Sequence, residues 1–221
     1  MAYFDQDFIS FFKELDKNND REWFAENKKR YEKNVKAPFA QLVEDLIDKI
    51  SELEEPLPVS SKDCIFRIHR DVRFSKDKSP YKVQVSALIG PKGRKDMLTP
   101  ALYLEASHRD VRIYTGMYKL DKEPLKKVRI YLGQHSEEFR EIINEKQFIK
   151  YFGEVRGEKN KRLPADMMEY AEREPLIYNK NYYIFCSIPP KSLLSDDISD
   201  QIMEAYKASH SFREFLKEGL S

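Results

Sequence analysis

The spacing of apolar residues changes period along this chain, and that change limits its fold more than any other feature. Near the start, Phe8, Phe11, Phe12 and Leu15 stand at helical steps, and Trp23 and Tyr31 continue on a second stripe with Asn19 or Asp20 available as N-cap. Val35, Phe39, Leu42, Val43, Leu46, Ile47, Ile50 and Leu53 then recur every three or four residues, the mark of an amphipathic helix. Pro38 fits if that helix begins there. From residue 64 the period falls to two. Cys64, Phe66, Ile68, Val72 and Phe74 predict a strand near 64–74, and the same alternation predicts strands near 83–90, 99–106 and 110–117. The links between them, "PKGRKDMLTP" at 91–100 and "SHRD" at 107–110, are polar. Helical spacing returns in "KEPLKKVRIYL" and "SEEFREIINEKQFIKYF", followed by the basic connection "GEVRGEKNKRLPAD". "YYIFCSI", Tyr182–Ile188, reads as a further strand, and the helical tail carries capping-box spacing at Ser211 and Glu214.

Consecutive strands without intervening helices imply an antiparallel meander. The expected class is therefore α+β: an antiparallel sheet meander with N-terminal and C-terminal helices packed largely on one side. A length of 221 residues points to a single domain, with 1–55 as a helical layer, 60–118 as the meander, and 119–221 as helices plus one strand. Lys plus Arg number 39 against 38 Asp plus Glu, so global charge draws the chain to neither nucleic acid nor membrane. No apolar run is long enough for a membrane span, and "MAYFDQDFIS" has neither the basic start nor the apolar core of a signal peptide. Cys64 and Cys186 sit in apolar runs without CxxC spacing and read as reduced residues of a cytoplasmic protein.

Against this neutral background one segment stands apart. Phe66–Lys82 holds six basic side chains and only two acidic ones, Asp71 and Asp77. On the strand reading, Arg67, His69, Asp71 and Arg73 share one face at intervals of about 6.5–7 Å. Arg70 falls on the apolar face, where a guanidinium needs a carboxylate or a bound anion. Ser75, Lys76, Lys78, Tyr81 and Lys82 follow around the Pro80 turn. Arginine forks clamp phosphate or carboxylate oxygens and lysines supply point charge, so Arg67, Arg70, Arg73, Ser75, Lys76, Lys78, Tyr81 and Lys82 form a candidate anion site. His69 beside Asp71 is the only histidine arranged as a general base would be, which makes these two the catalytic candidates. Two other accounts stay open. The basic face, with Tyr103 as a ring that could stack a base, could bind nucleic acid or protein without chemistry, or Asp71 and Asp77 could close an internal ion-pair network.

The residues Arg70-Asp71-Val72-Arg73-Phe74-Ser75-Lys76-Asp77-Lys78-Ser79-Pro80-Tyr81-Lys82 resemble the RD-x-RFSKDK-x-PYK signature of the family called domain of unknown function 2461. The resemblance extends to Asn18–Phe24, Tyr31 and Pro38, to Gly116-Met117-Tyr118, and to Arg162-Leu163-Pro164. It implies membership of a widespread uncharacterised family and assigns no reaction. Val83-Gln84 stands where a Thr-His pair often follows PYK, and Tyr114-Thr115-Gly116 supplies a single glycine where the family often has a run. P-loop, GxGxxG, GxSxG and HExxH patterns are absent, as is any metal-ligand motif, so no metal or nucleotide cofactor motif is present and the cofactor is left open. An anionic small molecule is the expected partner, with nucleic acid as the weaker reading. The oligomeric state is left open.

Overall fold

The computed structural model describes residues 2–96 and 98–221. Met1, in the stretch read for a leader, and Met97, in the predicted 91–100 connection, lie outside the described residues. Helices are α1 (Gln6–Lys17), α2 (Arg21–Glu26), α3 (Lys28–Tyr31), α4 (Ala37–Leu53), α5 (Ser61–Cys64), α6 (Lys122–Gln134), α7 (Ser136–Asn144), α8 (Lys146–Phe152), α9 (Met168–Arg173), α10 (Ile198–Ala208) and α11 (His210–Glu218). Strands β1 (Gln84–Ile89), β2 (Leu102–Ser107), β3 (Val111–Met117) and β4 (Tyr182–Ile188) form an antiparallel sheet in the order β1-β2-β3-β4. The fold is α+β, as the change of period requires. None of the described helices is long and apolar enough to cross a membrane.

The predicted strand at 64–74 is not a strand. Ser60 and Asp63 form a capping box: the Ser60 N–H donates to Asp63 Oδ2 at 3.0 Å, and this winds 61–64 into a helical turn. Beyond it only isolated bridges remain, Ile65 to Ala87 and His69 to Tyr81. The alternation of Cys64, Phe66 and Ile68 imitated a strand, but the chain pairs with 80–87 at scattered points and then leaves it. Arg67, His69, Asp71 and Arg73 therefore do not share a strand face.

The chain divides into two compact units. The first runs to Lys95 and adds Tyr103–Ile113 and Ser187–Met203. Its core takes Phe8, Phe11, Phe12 and Leu15 from α1, Leu42, Val43 and Leu46 from α4, and Ala87 from β1, all fully buried. Each such large side chain contributes about 1.5–3 kcal/mol of burial. Asp20 caps α2 through the Trp23 N–H at 2.9 Å. Between α3 and α4, Glu32–Lys36 forms a π-turn in which the Ala37 N–H reaches back to the Glu32 carbonyl. Pro38 explains the widening, because it has no N–H to donate and its ring collides with the carbonyl four residues back. The regular α-helix α4 accordingly starts at Ala37, with Pro38 in its first turn as the sequence requires. Arg30 holds α1, its guanidinium accepted by Asp7 and by Glu14, at 2.6 Å for the latter. That contact keeps both carboxyls below the usual carboxylate range.

The second unit comprises Asp96–Leu102, Tyr114–Cys186 and Glu204–Ser221. Phe139, Phe148, Phe212 and Phe215 interlock as its aromatic centre, with Phe139 and Phe215 rings 4.8 Å apart. Gly116 has φ +116°, and a Cβ there would stand 2.3 Å from the Tyr182 carbonyl oxygen, so only glycine fits. The predicted capping box at Ser211 does not form. Helix α11 starts two residues earlier, behind Ser209, and Glu214 pairs with Lys217 Nζ at 2.7 Å instead.

Candidate functional site

The basic segment of the first unit closes largely on its own carboxylates. Asp77 Oδ1 accepts from the Ser79 N–H at 2.9 Å and from its hydroxyl at 2.7 Å, an Asx-turn that sets the bend before Pro80. Its other oxygen takes Arg70 Nη1, which also donates to the Ser79 carbonyl at 3.2 Å. The Ser79 contacts, then Arg70, hold the Asp77 carboxyl far below its ordinary value. Ser75 Oγ stands 3.5 Å from Arg70 Nη2. Asp71 accepts Arg73 Nε at 3.0 Å and Nη2 at 2.7 Å, and this pairing lowers its carboxyl. Lys78 Nζ donates to the Val72 carbonyl at 3.0 Å. Arg70, the residue that broke the apolar parity, is mostly shielded, with 27% of its side chain exposed, and its partner is internal.

The loop is anchored to the helical region by a contact no local pattern announces. The Asn19 carboxamide brackets Tyr81: Nδ2 donates to the Tyr81 carbonyl at 3.0 Å and Oδ1 accepts its N–H at 3.1 Å. The Tyr81 ring is buried and stacks on Phe24 with centroids 4.0 Å apart. Thus Asn18–Phe24 and the basic segment 70–82 meet here. Tyr81 is a packing residue rather than an open ligand group. His69 is exposed, 5.1 Å from the Tyr81 ring, and no hydrogen bond joins it to Asp71 among the described residues, whose carboxylate is occupied by Arg73.

Arg67, Lys76 and Lys82 are left. None of the three makes an ion pair among the described residues. Lys76 is exposed, whereas Lys82 is half-buried with its ammonium 5.3 Å from the Phe66 ring centre. Burial pulls the Lys82 pKa down, Glu105 opposes that shift, and Arg67 adds to it. Glu105 itself accepts the Tyr103 hydroxyl at 2.9 Å, and Tyr103 lies edge-on to Phe66 at 6.0 Å. Phe66 and Glu105 are neighbours of Lys82 that the sequence reading did not single out, whereas Tyr103 was weighed there as a ring that could stack a base. The signal at 103 and 105 was their alternation against the buried Leu102 and Leu104. Phe74, at the loop, is 96% exposed with the Arg73 guanidinium 5.9 Å from its ring.

Among the described residues, no group of three or more His, Cys, Asp or Glu is placed to hold a metal ion. Cys64 and Cys186 are free thiols, one buried and one half-buried, and burial pushes both up to about 11, so neither is a ready nucleophile.

Compared with known families, the chain matches the family described as conserved hypothetical protein (DUF2461) over residues 7–215. The chain belongs to DUF2461. No curated protein matches it. The DUF2461 match takes in the whole basic segment, Asn19 and Phe24 together with Tyr103 and Glu105.

Proposed function

We propose that this DUF2461 chain binds a small anionic ligand, phosphorylated or nucleotide-like, at Arg67 and Lys82. The observation that carries the reading is the half-buried Lys82 ammonium, which no carboxylate pairs and which Arg67 crowds with like charge. A desolvated cation with no carboxylate at ion-pair distance, its burial only partly offset by Glu105, favours an anion, and a guanidinium nearby supplies a two-pronged clamp. Tyr103 and Glu105 would orient the ligand. Arg70, Arg73, Ser75, Lys78 and Tyr81 are then scaffold for the segment, and Lys76 contributes field only. Binding is assigned and no reaction. Two free thiols fit the reducing cytoplasm.

Thermal shift with inorganic phosphate and pyrophosphate tests this. Lys82→Met should melt no lower than the parent without ligand and lose the anion-induced shift. Arg70→Met should melt lower yet keep it. A shift that survives in both Arg67→Met and Lys82→Met would remove the assignment.

A second reading rests on Phe74. An internal ion-pair network gives no reason for a fully exposed aromatic ring, whereas single-stranded nucleic acid stacks on such rings beside arginine. Fluorescence anisotropy with a labelled single-stranded oligonucleotide would favour it if Phe74→Ala weakened binding and salt did so steeply.

A further inference from the structure

The second unit contains a cavity of about 580 Å³, a size usual for small-molecule sites. Ile149 and Leu176 give it apolar wall, Tyr183 an aromatic face, and Asn179, Arg156 and Lys159 its polar groups. Asn179 is the unusual member. Its side chain is buried at 1% exposure, yet neither Nδ2 nor Oδ1 has a hydrogen-bond partner among the described residues. Its main chain, by contrast, is fully held. The Asn179 N–H donates to the Leu176 carbonyl at 2.9 Å, and its carbonyl accepts Arg129 Nη2 at 2.8 Å. A buried carboxamide is ordinarily paired, and an unpaired one in a cavity wall marks a place where a partner is to arrive.

The cations beside it are free or only loosely paired. Lys159 is exposed and makes no ion pair among the described residues. Arg156 stands 4.5 Å over the Phe185 ring, and its nearest carboxylate, Glu154, is 3.7 Å away, beyond hydrogen-bond reach. A carboxamide presents one donor and one acceptor side by side, which matches the edge of a nucleobase. Arginine and lysine beside it match a phosphate.

We infer that this cavity is a nucleoside monophosphate site, with the base edge read by Asn179, the base packed against Tyr183 and Leu176, and the phosphate held by Arg156 and Lys159. Gly157 now lies against the carboxamide, since a Cβ there would stand 2.7 Å from Asn179 Nδ2. Glycine at 157 leaves beside the carboxamide the space that a Cβ would fill, and the flanking Arg156–Tyr183 and Lys180–Glu158 backbone hydrogen bonds hold that wall in place.

The site is independent of Arg67 and Lys82. Isothermal titration of the full chain with adenosine, cytidine, guanosine and uridine monophosphates, adenosine and inorganic phosphate tests it. At least one monophosphate should bind. Lys159→Ala and Arg156→Met, both at exposed positions, should weaken that nucleotide at least tenfold, and Asn179→Leu should flatten the preference among bases. Arg67→Met with Lys82→Met should leave the affinity unchanged. Absence of binding by all four nucleotides would overturn the inference, as would nucleotide affinity unaffected by Lys159→Ala and Arg156→Met. Loss of binding only in Arg67→Met with Lys82→Met would transfer the nucleotide to the first unit's site and equally overturn it.

Discussion

Two basic, polar segments of this chain handle their charge in opposite ways. In 70–80 the carboxylates stand close in sequence to the groups they satisfy: Asp71 serves Arg73, and Asp77 serves Ser79 and Arg70. In 153–160 Lys159 makes no ion pair among the described residues and Arg156 meets Glu154 only at 3.7 Å, while the buried Asn179 carboxamide in the wall of the same cavity has no partner among them. The denser cluster is therefore the less available one. Local charge density in a sequence measures how much charge must be accommodated, and acids two residues away can accommodate it within the chain. Availability depends on what the fold leaves unpaired.

The contrast yields a graded set of outcomes. Tyr81→Ala should be the most damaging substitution in the signature, costing about 3–5 kcal/mol in urea unfolding, because a buried ring stacked on Phe24 is lost. Phe74→Ala, seven residues away, should leave the unfolding midpoint where it is. Gly157→Ala should cost about 2–3 kcal/mol, since its Cβ would meet the Asn181 carbonyl oxygen at 2.1 Å. A neutral result there would mean that the cavity wall is looser than the structure has it. Asn19→Ala should cost about 1–2 kcal/mol by leaving the Tyr81 N–H and carbonyl unpaired, and hydrogen exchange at the Tyr81 amide should quicken.

Acid should loosen the signature. Asp71 and Asp77 have carboxyl pKa values depressed below the ordinary 3.8 in the folded protein. Their stabilisation is therefore complete above that value and lost as pH falls through the depressed ones. The Ser79 amide resonance should stay flat through the ordinary carboxylate range and move only well below it, and a titration midpoint near 3.8 would contradict the Asx-turn. Arg73→Met is expected to have the smallest effect, with no measurable change in melting temperature, because 76% of the Arg73 side chain is exposed.

Much of the fold was legible in the sequence because period is a local property. The stripe Phe39–Leu42–Leu46–Ile50 and the alternations in β2 and β3 each specify an element without reference to anything distant. The stretch 64–74 was misread since its alternation is real but weaker than two local devices, the Ser60–Asp63 box and the Asp77 turn. The basic segment could be located from sequence, yet not divided into committed and uncommitted cations. That division depends on geometry: Lys82 lies over Phe66, and Glu105 on β2 acts on it through its charge without pairing. Asn179 carried no signal at all, because an asparagine in a polar connection looks the same whether its carboxamide is satisfied or not.

The Asn19–Tyr81 clasp joins positions 62 residues apart. Closing an unstructured loop of that length costs roughly 4 kcal/mol in chain entropy. Helices α1 to α4 and the docking of α4 on β1 shorten the effective loop before the clasp can form. Docking of the basic segment is thus a late event on the folding route: in pulse-labelled refolding Tyr81 should gain protection after Leu42 and Leu46. Mutations at the clasp should accelerate unfolding while leaving the refolding rate nearly untouched.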